Sequence, residues 1–100
     1  MRLEFDWDPA KAASNRAKHG ITFEEAMTVF LDPLALSRLD EDAGGSDERW
    51  LTLGRSTPDR LLVVVHTHIE RMDDSVYIRI ISARAATRRE ARRYEEGIEA

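Results

Sequence analysis

His66, His68 and Glu70, in "RLLVVVHTHIE", and Arg79, in "SVYIRIISA", are residues whose type and spacing could do chemistry. Positions two apart on a strand point the same way, so the two imidazoles project together with Glu70 extending the row. Such a row could hold zinc, but no loop elsewhere supplies an evident second set of ligands, and no metal is expected. Alternatively His66 moves a proton or contacts phosphate, since an imidazole changes charge near neutral pH. A plain surface histidine would leave the same pattern. Alternation also sorts the neighbours. Val63, Val65 and Ile69 share a side with Thr67, opposite Val64, His66, His68 and Glu70. Val76, Ile78 and Ile80 oppose Tyr77, Arg79 and Ile81. Turning the apolar sides toward helices predicts an uncovered face with His66, His68, Tyr77 and Arg79. Trp50 and Thr52 join it if Leu51 and Leu53 take the core side.

The second chemical signal is the run "RIISARAATRREARR", six arginines from Arg79 to Arg93 with only Glu90 among them. Residues 1–78 hold nine basic and fifteen acidic side chains, a net of −6, whereas residues 79–100 hold six and four, a net of +2. A basic segment on an acidic body suggests a phosphate-binding surface, although a solvated helix face would give the same run. Arg88 and Arg89 fall in the first turn of a predicted helix, where the dipole disfavours cations. Arg79 and Arg84 sit where a sheet would hold them more rigidly.

The elements that must position these groups are marked by local chemistry. "RLEFDW" alternates Leu3, Phe5 and Trp7 with charged residues and reads as a half-buried strand. Asp8-Pro9 caps and starts a helix that runs to about His19, with Gly20 closing it. In the next helix Thr22 and Glu25 have capping-box spacing. Its apolar stripe is Phe23, Ala26, Met27 and Phe30, and Asp32-Pro33 stops it. Strand-like segments "LALSRL", "RWLTLGRS", "RLLVVVHTHIE" and "SVYIRIISA" follow, joined by short polar turns that favour antiparallel neighbours. A last helix has Thr87 and Glu90 as a second capping box, Ala91, Tyr94 and Ile98 as its inward side, and Gly97 as its stop. The order is strand, two helices, a four-strand meander and a helix. The fold class is therefore α+β, one layer of helices on one sheet.

One hundred residues make one domain, 1–100, large enough for one modest core. With no cysteine there is neither a disulfide framework nor a thiolate metal site. The longest apolar run, Leu61 to Val65, is far too short to span a bilayer, and "MRLEFDWD" lacks the apolar core of a secretory signal. A cytosolic protein with no membrane partner is expected.

Together "FDWDPAKAASNRAKHGITFEEAMTVFLDP", "DERWLTLGRS", "LLVVVHT" and "IRIISARAATRREARRYEEG" resemble the BrnT toxins of bacterial type II toxin–antitoxin modules, over nearly the whole chain and in the same order. The resemblance implies a fold similar to RelE-type ribonucleases, helices packed on a curved, mostly antiparallel sheet. It also implies RNA cleavage that arrests translation, and inhibition by a BrnA-type antitoxin that binds operator DNA, so that DNA is reached only through the complex. The family's motifs fall on Lys18-His19-Gly20, Glu48-Arg49, Gly54-Arg55, His66, and Arg79 with Arg84.

The mechanism expected on that basis needs no metal or other cofactor. A base takes the proton of a ribose 2′-hydroxyl, which attacks the adjacent phosphate, while cations hold the growing charge and an acid protonates the departing 5′-oxygen. Arg79 is the expected phosphate clamp, His66 the acid or base and Glu48 a second candidate base. Lys18, Arg49, Arg55 and Arg84 are expected to bind RNA phosphates, Trp50 or Tyr77 to stack a base, and Arg88 and Arg92 to meet the antitoxin. The rival expectation is a non-catalytic module that binds an antitoxin and co-represses an operator.

Overall fold

The computed structural model describes residues 2–41 and 48–97. Strand β1 (Arg2–Trp7) leads directly into α1 (Pro9–His19). The Asp8 carboxylate accepts the Ala10 N–H, Pro9 fills the first helical position, and Gly20 ends the helix at φ 69°. Helix α2 (Phe23–Thr28) runs into a 3₁₀ turn, Val29–Leu31. The Thr22 hydroxyl caps α2 through the Glu25 N–H. The Glu25 carboxylate does not reach back to complete a box. It accepts instead from Ser56 (2.7 Å) and from Arg60 (Nε, 2.9 Å), fastening the turn after β3 to the helix.

Strands β2 (Leu36–Leu39), β3 (Trp50–Arg55), β4 (Leu61–His66), β5 (Ile69–Glu70) and β6 (Ser75–Ala85) follow, and α3 (Arg88–Glu96) comes last. The sheet order is β1-β6-β4-β3-β2, with β5 also against β6. Only β1 runs parallel to its neighbour; the other pairings are antiparallel. At α3 both halves of the Thr87–Glu90 capping box are formed, and Gly97 closes the helix at φ 73°.

One face of the sheet is covered by α1, α2 and the 3₁₀ turn. Ile21, Phe23, Ala26 and Val29 pack there on Leu62, Val64, Val76, Ile78, Ile80 and Ala83. This corrects the expected side for two strands: Leu62, Val64 and His66 of β4, with Thr52 and Gly54 of β3, turn toward the helices. Val63 and Leu53 face the other way. They are buried all the same, because α3 packs against that second face. Arg55 and Arg84, on the Leu53 and Val63 side, meet Tyr94 and Glu90 of α3. The helices therefore form a layer on each side. Where a sheet is covered twice, "LLVVV" shows no alternation to read.

A β-bulge completes the pattern. Val65 pairs with Ser82 but His66 with Ile80, so Ile81 is an extra residue. The bulge keeps both Ile80 and Ala83 on the helix side. Beyond Trp7, where β1 ends, the free edge of β6 is taken by the buried Asn15 of α1. Its amide accepts from the Ala83 N–H (3.0 Å) and donates to the carbonyls of Ala83 (2.8 Å) and Ile21 (3.0 Å). One side chain thus substitutes for a neighbouring strand. No helix among the described residues is long and apolar enough to cross a membrane.

Candidate functional site

The part of the second face that α3 does not cover carries Arg79 and its neighbours. Asp6 pairs with Arg79 in the β1–β6 register, with Glu4 and Tyr77 beside them. Arg79 Nη1 donates to Asp6 Oδ2 at 2.6 Å and the Tyr77 hydroxyl to the same oxygen at 2.7 Å. The Tyr77 hydroxyl first, then the Trp7 N–H and the Arg79 charge, hold the Asp6 carboxyl below the usual carboxylate range. Arg79 is therefore aimed as well as charged. Its side chain is 43% exposed, with Nη1 the donor to Asp6.

Across the sheet, Arg38 of β2 opposes Leu51, Leu51 opposes Val65, and Val65 opposes Ser82. These residues share the open face. The Asp40 N–H donates to the Arg49 carbonyl (2.7 Å), which extends the β2–β3 ladder and places Arg49 on the Leu51 side. Arg84 opposes Val63 and grips Glu90 through both oxygens at 2.8 and 2.9 Å. At the β6 edge, Lys11, Ser14, Asn15, Lys18 and His19 of α1 line a shallow groove of about 170 Å³ with Ile81 and Ser82. Lys18 thus adjoins the Ser82 end of the row. Arg79, Arg49, Arg84 and Lys18 border one surface whose floor is Leu51 and Val65.

His66 is not part of it. It is 2% exposed, lies on the helix side with its ring edge-on to Phe30 at 4.8 Å, and uses both nitrogens. Nδ1 meets the Thr67 carbonyl at 2.9 Å and Nε2 the Thr52 hydroxyl at 2.6 Å. Burial pushes its pKa down to about 4. The expected meeting of His66 and Arg79 on one face is corrected: the chain ladder puts them on opposite sides. His68 lies exposed beyond the end of β4, 3.8 Å from Glu70 and beside the Trp50 ring at 6.1 Å. Thr52 is buried on the helix side, not open. Tyr77 is spent on Asp6 and lies under Arg71, whose guanidinium is 4.8 Å from the ring centre. Glu48 is exposed just before β3. Arg55 lies over Tyr94 at 5.5 Å, and its backbone N–H donates to Asp32 at 2.8 Å, so it helps seat α3. Arg88 and Arg92 are exposed on α3, and Ala91 and Tyr94 are half-buried; Ile98 lies outside the described residues.

Comparisons with known proteins give the family and the fold. Residues 7–90 match the family described as BrnT, the ribonuclease toxin of type II toxin–antitoxin systems. The chain belongs to the BrnT family. The crystal structure of the Brucella abortus ribonuclease toxin BrnT is similar in fold. It shares 21% identity and a TM-score of 0.57, covering 88% of this chain and all 100% of that one. Comparison with curated proteins gave no match. RelE-like is a fair description of the shared α+β architecture.

For a BrnT-family chain, an antitoxin is the implied partner. Residue type and position pointed to Arg79 and Arg84, and the family resemblance to Arg49 and Lys18; Arg49, Arg79 and Arg84 lie on one side of the sheet, with Lys18 at its β6 edge. Neither pointed to Asp6, Lys11 or Arg38. Asp6 was legible only as a charged position alternating with Phe5 and Trp7; its pairing with Arg79 needs the parallel register of β1.

Proposed function

We propose that this chain is a metal-independent endoribonuclease toxin, neutralised by a BrnA-type antitoxin through which alone it reaches operator DNA. The observation that carries the reading is the Asp6-oriented Arg79 on an open sheet face bordered by Arg49, Arg84 and Lys18. Arg79 clamps the scissile phosphate, offering its exposed guanidinium to the charge that grows as the 2′-hydroxyl attacks. Asp6 fixes the fork without donating to substrate. With His66 enclosed, Glu48 at the mouth of β3 is the candidate that takes the 2′-hydroxyl proton, and water protonates the departing 5′-oxygen. Arg49, Arg84 and Lys18 hold flanking phosphates, and Arg84 does so by exchanging Glu90 for RNA.

Arg79→Ala is expected to lower RNA cleavage roughly a hundredfold or more, abolish growth arrest on induction and leave antitoxin binding intact. Cleavage at the wild-type rate by the purified variant would remove the clamp. The carboxylates on Arg79 and Arg84 favour one other reading, a non-catalytic module that binds antitoxin and helps repress an operator. Induction of the wild-type chain separates them, because only a ribonuclease arrests growth and is relieved by its antitoxin.

A further inference from the structure

Nothing in the sequence singles out Arg38, yet among the described residues it carries a buried side-chain donor that no acceptor meets. Arg79 has Asp6 and Arg84 has Glu90. Arg38 has no ion-pair or hydrogen-bond partner among the described residues, and its Nε is buried with its donor unused. A buried charged donor without an acceptor is costly, and native folds keep few without a purpose. Edge strand β2 places it opposite Leu51, at the end of the row that runs through Val65 to Ser82.

We propose that Arg38 binds a backbone phosphate of the RNA, a different one from the phosphate on which Arg79 acts. This rests on the open face being the ribonuclease surface. Strands β2 and β6 are separated by β3 and β4, a span of about 14 Å at the usual inter-strand spacing. Arg79 leans further away, toward Asp6 on β1. The two guanidinium groups therefore stand at opposite margins of a floor whose central residues, Leu51 and Val65, are apolar and half-exposed. An uncharged floor between cationic margins suits a nucleotide strand, its bases over the aliphatic side chains and its phosphates at the edges. A guanidinium offers a phosphate two parallel donors. Arg38 is an RNA-binding residue here and touches no reacting atom.

Two variants of the full chain test this, Arg38→Met, which keeps the stem and removes the charge, and Arg38→Lys. Cleavage of a short RNA gives KM and kcat. Binding of the same sequence with 2′-O-methyl riboses, which cannot be cleaved by 2′-hydroxyl attack, gives the salt dependence. For Arg38→Met, KM should rise about tenfold with kcat changed less than about twofold, because only uniform binding is lost. The log–log salt slope should shrink by roughly 0.7, the share of one single-strand phosphate. The melting temperature should not fall, since an unsatisfied donor has been removed. Arg38→Lys should recover part of the affinity and all of the slope. Unchanged KM and slope, in a protein whose wild type cleaves, would overturn the role of Arg38 alone. Weakened antitoxin affinity with unaltered RNA binding would also overturn it, assigning the residue to the protein partner. A wild type that neither binds nor cuts RNA would overturn both this and the function it rests on.

Discussion

His66 shows what burial does to a residue type that invites a catalytic reading. The Thr67 carbonyl can only accept, so Nδ1 carries the proton and Nε2 receives the Thr52 hydroxyl, whose oxygen lies 2.8 Å from Ser37. Every partner suits the neutral ring. Burial lowers its pKa to about 4, against an ordinary 6.5 for the unfolded chain. The unfolded state therefore takes up a proton first as pH falls. The stability is fully present above about pH 6.5 and is lost as pH falls through about 4, in all about 3 kcal/mol. Urea melts between pH 7 and 5 should show the midpoint falling, and His66→Leu should flatten much of that slope. A wild-type midpoint that stays constant from pH 6.5 to 5 would contradict the assignment. The sequence could not show this enclosure, because five apolar residues precede His66 and give its strand no polar side.

At the scale of elements, the helix ends were readable and the strand faces were not. Caps are local: Asp8-Pro9, Thr87 with Glu90, Gly20 and Gly97 act on their own turns. The faces of β3 and β4 depend on where α3 lands and on the bulge at Ile81, neither of which alternation contains. Asn15 was invisible for the same reason, since its partner is a backbone 68 residues away. Helix α3 buries no residue of its own. Polar contacts seat it: Arg84 on Glu90, the Tyr94 hydroxyl on Asp32 at 2.7 Å, and Arg55 over Tyr94. Arg84 above all holds the Glu90 carboxyl down to about 2. Arg88 and Arg92, at i and i+4, remain exposed and mildly repel each other, which suits a surface awaiting an acidic partner. Arg88→Glu with Arg92→Glu should weaken antitoxin binding, less so at high salt, and leave RNA cleavage within a few-fold. A titration at two salt concentrations beside a cleavage assay decides it. Lost cleavage with intact antitoxin affinity would place both arginines in the RNA site.

The whole molecule segregates its charge, as the anionic substrate proposed for an acidic chain requires. The net charge is −4, yet the sheet face opposite α1 and α2 gathers Arg38, Arg49, Arg79 and Arg84, with Lys18 of α1 at its β6 edge. The mixed sheet makes this possible. A parallel β1 brings Asp6 to Arg79, and the meander carries Arg38 and Arg49 across to the same side. Composition and spacing located the basic segment and the α+β class, while the assembled surface depended on register. The central claim is that this surface cuts RNA by 2′-hydroxyl attack without a metal ion. It is tested most directly by identifying the ends of the RNA fragments that the purified protein produces in EDTA. Attack by the neighbouring hydroxyl predicts undiminished cleavage, with 2′,3′-cyclic or 3′-phosphate on one fragment and 5′-hydroxyl on the other. Fragments bearing 5′-phosphate and 3′-hydroxyl, or cleavage that EDTA stops and added metal restores, would contradict it.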